Sequence, residues 1–302
     1  MPRTSKSPVA VARIAHATAK HALPQYSQPK SPKKFTQPQL VACLVLKEFF
    51  KTDYRGIVEI LADASDLRNV LELGEVPHYT TLQKAAHRLT SKKTLDQLMN
   101  DIIALAIGTK IMKPAVALSA IDSTGFESHH VSSYFVRRSG REHHPYQTMT
   151  YSRFPKVGIV VDCASHLVLS GIPSWGPGPD IVHWKSAIQG AVERVALKIL
   201  TADAGYDAEH AHVFARMLGI RSIIPNRVGR PTTKLPSGKY RRIMATRFNK
   251  TLYGQRWQIE TINSVIKRRL GSFLRARTYW AQMREMMLRL FTYNVLVVWR
   301  TA

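Results

Sequence analysis

The sequence predicts an α/β fold, a mixed sheet with helices packed on it, preceded by an all-helical segment. Three observations predict it. Residues 35–108 repeat apolar side chains at helical spacing. From residue 115 the pattern changes to short β-rich runs bounded by turn residues. After residue 180 such runs alternate with helical ones, the order of a sheet covered by helices.

The elements follow in order. Residues 1–34 are rich in Pro, Ser, Lys and Ala, and no acid precedes Glu48, so this stretch reads as a flexible basic arm. Thr36-Gln37-Pro38 opens a helix carrying Leu40, Leu44, Leu46, Phe49 and Phe50. A second helical run holds Ile57, Val58, Ile60 and Leu61. A third, capped by Thr80 or Thr81, carries Leu82, Ala85, Ala86 and Leu89, and a fourth spans 94–107. With Lys84, His87 and Arg88 on the third, residues 35–110 form a helical subdomain that either binds DNA or packs on the core. The remaining residues, 111–302, make the second domain. Val116, Leu118, Ala120 and Asp122 alternate with Ser119, Ile121 and Ser123 across the two faces of a strand. Strands follow at 157–162 and 167–172, then a helix at 182–196, a strand at 198–203, a helix at 208–218 and a strand at 222–225. Residues 226–247 are basic and loop-like, with a hairpin or loop turning at Ser237-Gly238. Long helices fit 248–270 and 280–299.

Charge is the unusual feature of the composition. Lys and Arg number 44 against 20 acids in 302 residues, a formal net charge of +24. That balance makes a polyanion the expected partner, nucleic acid first. Cys43 and Cys163 sit among apolar neighbours and read as reduced, buried thiols. No stretch reaches the ~18 apolar residues of a membrane helix, and no hydrophobic signal-peptide core opens the chain, so an intracellular protein is expected.

Three carboxylates stand out. Asp122, in Ser119-Ala120-Ile121-Asp122-Ser123-Thr124-Gly125, closes an apolar strand, where rigid backbone holds a carboxylate facing open space. Asp203 closes another, in Leu200-Thr201-Ala202-Asp203-Ala204-Gly205-Tyr206-Asp207, with a Gly for close backbone approach. Glu260 is the only acid between Glu209 and Glu285, with Lys250, Arg256, Lys267, Arg268 and Arg269 around it. At ~100° per residue, Tyr253, Arg256, Glu260 and Lys267 fall in one stripe about 60° wide, while Leu252, Ile259, Ile262, Ile266 and Leu270 take another face. Hard divalent cations want carboxylate oxygens, and two of them serve phosphodiester displacement while nearby cations bind the phosphate backbone.

Asp122, Asp203-Ala-Gly-Tyr-Asp207 and Tyr253-x2-Arg256-x3-Glu260-x6-Lys267 together resemble the signature of bacterial and archaeal insertion-sequence transposases of the DDE type. The last matches that family's Y-x2-R-x3-E-x6-K pattern at every fixed position. The resemblance covers roughly 115–300, including Leu270-Gly271-Ser272 and Tyr293-Asn294; Tyr54-Arg55-Gly56 and Pro77-His78-Tyr79-Thr80-Thr81-Leu82 are also similar. It implies a ribonuclease H-like catalytic domain in which Asp122, Asp203 and Glu260 bind two Mg²⁺ or Mn²⁺ ions. It also implies that Tyr253, Arg256 and Lys267 contact the transposon-end phosphates. The implied reaction is nicking by water to release a 3′-OH, then attack of that 3′-OH on target DNA, by a homodimer in the synaptic complex. The setting implied is the cytoplasm of a prokaryote, on the nucleoid.

Only 56 residues separate Asp203 from Glu260, so the large β-domain that some relatives insert there has no room. The basic segment instead offers Arg241 and Arg242, and with Arg268 these complete the expected DNA contacts. A nuclease that cuts without joining, a non-catalytic or domesticated DNA-binding protein, and a basic ribosomal or nucleoid protein are the competing readings. Trp175, Asp180, His183, His129, His130, His143 and His144 read as loop residues, Asp162 and Asp207 as turn or cap residues, and Glu127 as a weak candidate ligand.

Overall fold

A computed structural model describes residues 4–30, 33–128, 153–227 and 234–299. The histidines at 129, 130, 143 and 144 lie outside these. The first element, α1 (Pro8–Ala22), overturns the flexible arm. Ser7 caps it by accepting from the Ala10 N–H (3.2 Å), with Pro8 at its first position. Val11, Ala12, Ile14, Ala15 and Ala19 are buried on its inner face. They recur at helical spacing, and the surrounding Lys, Ser and Pro hide that in composition. Ser5 ahead of it is pinned, its N–H donating to the Leu296 carbonyl and its own carbonyl accepting from Arg269.

The helical segment continues through α2 (Gln37–Phe49), α3 (Tyr54–Asp63), α4 (Ser65–Val70), α5 (Tyr79–Leu89) and α6 (Lys92–Gly108). Thr36 and Gln39 form a capping box at the start of α2. Asp53 caps α3 by accepting from the Arg55 and Gly56 N–H groups. The expected Thr80 or Thr81 cap is displaced: α5 begins at Tyr79 with His78 as the capping position, and both threonines lie inside the first turn.

The sheet runs in the order β4-β3-β2-β6-β7, with β2 (Ser119–Gly125), β3 (Phe154–Asp162), β4 (Val168–Gly176), β6 (Ile199–Thr201) and β7 (Arg221–Ile223). β2, β3 and β4 form an antiparallel meander; β6 and β7 join β2 in parallel. A separate parallel pair links β1 (Ala115–Val116) to β5 (Ala196–Leu197). Parallel pairing needs crossover helices. α7 (Trp184–Val192), following a 3₁₀ turn at Asp180–His183, leads into β6, and α8 (Glu209–Met217) into β7. This is a mixed sheet flanked by helices, as the sequence predicted.

Two differences fall in the last third. Residues 226–247 contain α9 (Lys239–Thr246) in place of a hairpin, entered through Gly238 at φ 99°. The single helix expected over 248–270 is two, α10 (Lys250–Gly254) and α11 (Trp257–Leu270). Between them, Gln255, Arg256, Gln258 and Ile259 donate to carbonyls three residues back, a tightened turn that rotates Tyr253 off the helix carrying Glu260. Finally, α12 (Tyr279–Val298) lies against the outer strand. Its Asn294 accepts from the Val168 N–H (2.9 Å) and donates to the Val168 carbonyl (2.7 Å), satisfying backbone that an edge strand leaves open. Among the described residues no helix is long and apolar enough to cross a membrane.

Candidate active site

Parallel pairing brings the two aspartates together. β2 and β6 end their pairing at Ala120 and Thr201, and Asp122 and Asp203 each lie two residues further on. They therefore project from neighbouring strands, which run about 4.8 Å apart, at the carboxyl end of the parallel pair. Asp122 lies within β2, which runs on to Gly125, so the strand does not stop at the carboxylate as expected. β6 does stop: Asp203 caps a short 3₁₀ turn, Ala204–Tyr206, by accepting from the Gly205 N–H (2.9 Å). The buried Tyr206 anchors that turn, its ring 5.4 Å from Trp184 and its hydroxyl 3.5 Å from Ser123 Oγ.

The Asp122 carboxyl is pushed up to about 6, by burial above all and then by the charges of Asp203 and Asp180, against the lowering effects of the Ser123 N–H and Arg256. Asp180, set aside by the sequence reading, is thus a third carboxylate acting on this site. It stands at the start of the 3₁₀ turn before α7, ion-paired with Lys156 of β3, whose ammonium also donates to the Gly178 carbonyl (2.7 Å). His183 lies alongside, its pKa held down by burial and Lys156.

The helix α11 covers the other side. Asn263, buried on it, reaches Asp122 with Nδ2 3.5 Å from Oδ2. One turn earlier, Glu260 does not turn toward the aspartates. It is ion-paired with Arg256 (2.6 Å), and its side chain is 55% exposed. Among the described residues no three carboxylate, His or Cys groups converge closely enough to hold a metal ion. The expected three-acid set is therefore two aspartates with Glu260 one helical turn away, held by its i−4 arginine. The sequence reading missed Asn263 although a signal existed: at ~100° per residue it falls about 20° from Arg256 on the helix.

Residues 117–295, more than half of the chain, match the family model described as a transposase DDE domain. The chain belongs to this family. No curated protein matches it. Among solved structures, the DDE chain is similar to the piggyBac transposase synaptic complex with hairpin DNA, at 10% identity and a TM-score of 0.47, over 99% of this chain and 76% of that one. It is also similar to the Mos1 transposase paired-end complex with left transposon end, at 10% identity and a TM-score of 0.23, over 66% of this chain and 61% of that one. A pre-cleavage Mos1 transpososome aligns at 9% identity and a TM-score of 0.23, over 92% and 82%.

The residues expected to contact DNA stand on α9, on α10 and α11, and in the turn between these two. Arg256 lies over the Tyr253 ring (5.8 Å), and Lys267 over that of Phe126, just past β2 (5.9 Å). Arg268 is exposed, its Nε bonded to the Ser264 carbonyl (3.4 Å). Arg242 is exposed on α9, but Arg241 is committed: its guanidinium donates twice to Asp207 (2.8 and 2.7 Å), whose side chain is sealed from solvent. Asp207 is therefore a structural anchor, and Asp162 holds its turn by accepting from Ala164 and Ser165. Glu127 uses its backbone to pair with residues 272–274.

Proposed function

We propose that this chain is the transposase of a prokaryotic insertion sequence, acting in the cytoplasm on duplex DNA by cutting at the element's ends and joining the 3′-OH to a target. One observation supports this most: Asp122 and Asp203 share the carboxyl end of a parallel strand pair, with the helix of Glu260 packed over them. Their oxygens fit Mg²⁺ or Mn²⁺, because a site where Asp203 and Asp180 already disfavour the charged form of Asp122 gains from a hard cation. Asp122 and Asp203 would hold such ions, joined by Glu260 on exchanging its arginine partner. When bound, two ions supply a polarised attacking oxygen and a stabilised leaving oxygen.

The chain's own groups do the rest. Asn263 fixes the Asp122 carboxylate by hydrogen bonding. Tyr253, Arg256, Lys267, Arg268 and Arg242 bind phosphates of the transposon end, and Arg241 acts by securing α9. Arg256 released from Glu260 gains a phosphate partner, so DNA binding and the freeing of Glu260 are one exchange. Two ends brought into one synaptic complex require a dimer.

Incubating the protein with short duplexes bearing the flanking ends, in Mg²⁺, Mn²⁺ or EDTA, tests the reading. Wild type cuts and joins only with metal; Asp203→Asn and Glu260→Ala bind the ends but lose activity by about 1,000-fold or more, several kcal/mol of transition-state stabilisation. Cutting without joined products would make the chain a nuclease. Binding without cutting under any metal would make it a non-catalytic DNA-binding protein.

A further inference from the structure

A cleft of about 440 Å³ opens between the helical segment and the start of α12, away from the paired aspartates. Tyr54 of α3 and His87 of α5 line one wall; Arg275, Arg277, Thr278 and Arg284 line the other. Its carboxylates are already spent. Glu48 pairs with Lys47 and Arg289. Glu285 takes Arg289 and the N–H groups of Arg275 and Ala276. Asp53 caps α3 through the N–H groups of Arg55 and Gly56. Among the described residues no carboxylate pairs with Arg277 or Arg284, so the cleft presents uncompensated positive charge.

An aromatic row adjoins it. Trp280 is 68% exposed, and it stands four residues before Arg284 on α12, hence on the same helical face. Tyr279 holds it edge-on (4.7 Å, 84°) and itself stacks on Trp175 of β4 (5.7 Å, 22°). A lone exposed tryptophan is ordinary; one buttressed by two stacked rings beside unpaired arginines is a surface organised for a flat, anionic ligand.

We propose that this cleft and the Trp280 row bind a single-stranded DNA segment, phosphates on Arg277 and Arg284 and an unpaired base on the Trp280 indole. The volume suits about one nucleotide unit. Bases within a duplex have their faces covered by stacking, so only an unpaired base can lie on the indole. A second copy of the chain fits less well, because the core of a protein interface is depleted of unpaired charge. The inference rests on the transposase reading only for the source of the strand, which nicking at an end would free.

The test uses the full chain, a short oligonucleotide carrying 2-aminopurine, and a duplex of the same sequence. Wild type should quench the probe. Trp280→Ala should abolish the quench and weaken single-strand binding about tenfold or more, leaving duplex-end binding unchanged. Arg277→Ala with Arg284→Ala should flatten the salt dependence of single-strand binding by about 1.4 in log–log slope, two phosphates' worth. Single-strand affinity and quench equal to wild type in both variants, with end cutting intact, would overturn this site alone. A Trp280→Ala protein whose monomer–dimer balance shifts while its DNA binding does not would overturn it in favour of a second copy. If wild type binds neither duplex nor single strand, the transposase reading falls together with it.

Discussion

Asp203 owes its position to a residue that carries no chemistry. A Cβ at Gly205 would stand 3.0 Å from Asp203 Oδ1, tighter than carbon normally approaches oxygen. Gly205 has no positive φ to protect, so Gly205→Ala acts through that contact alone. The carboxylate must give by a few tenths of an ångström. Scaled from about 100-fold per ångström of misplacement, end cutting should fall about five- to tenfold with DNA affinity and melting temperature little changed. Equal cutting rates would mean that this turn does not position Asp203. The pattern of strand, Asp and Gly was legible in the sequence because each is a local signal. Asp180 was not, since what it does depends on which strand the 180–183 turn comes to face, and Asn263 was legible only as a member of the polar stripe, not as the partner of Asp122. The alignment of Glu260 with Arg256 was legible, but the helical wheel could not say that the two would pair with each other.

At the scale of an element, α9 shows why residues 226–247 read as a loop. Pro231, Pro236 and Gly238 break any periodic pattern, and the helix between Lys239 and Thr246 has no cap of its own. Its cap comes from about 30 residues upstream. Glu209 Oε1 and Oε2 accept from the Tyr240 and Arg241 N–H groups (3.0 and 3.1 Å), and glycine is required at 238 because its φ of 99° is one that L side chains rarely adopt, while a Cβ there would also displace the Glu209 carboxylate. Asp207 adds the Arg241 guanidinium and the Arg227 N–H (2.9 Å). Burial pushes the Asp207 carboxyl up, but these donors outweigh it and hold its pKa below the ordinary aspartate value. A depressed pKa means that the tether contributes fully above that ordinary value, about 3.9, and is lost as pH falls through it toward the folded-state pKa. Asp207→Asn should therefore lower the urea midpoint at neutral pH, and the gap to wild type should close below about pH 4. A gap independent of pH would remove the charge from this account and leave only packing.

At the scale of the molecule, the helical segment and the sheet that carries Asp122 and Asp203 are joined through buried charge. Lys47 and Glu48 of α2 meet Glu285 and Arg289 of α12, and Arg289 also donates to the Gly271 and Phe273 carbonyls beyond α11 (2.9 and 2.7 Å). Both Glu48 and Arg289 are nearly inaccessible, at 3% and 2%. Such a network was invisible in sequence, where Lys47-Glu48 looks like an ordinary charged pair in an apolar helix. A buried pair stripped of one partner leaves an uncompensated charge, which typically costs about 3–5 kcal/mol, whereas an exposed pair contributes about 0–1 kcal/mol. The chain contains its own control in Lys20 and Glu72, 2.7 Å apart with side chains 50% and 64% exposed, linking α1 to the end of α4 at the surface. Glu48→Ala should lower the melting temperature by roughly 6–20 °C and Glu72→Ala by no more than about 4 °C. Melting of Glu48→Ala as one transition would mean that the two parts still unfold together; two resolved transitions would mean that the network is what couples them. Equal small shifts in both variants would show that the contact between helical segment and sheet rests on its apolar packing, with the ions as passengers.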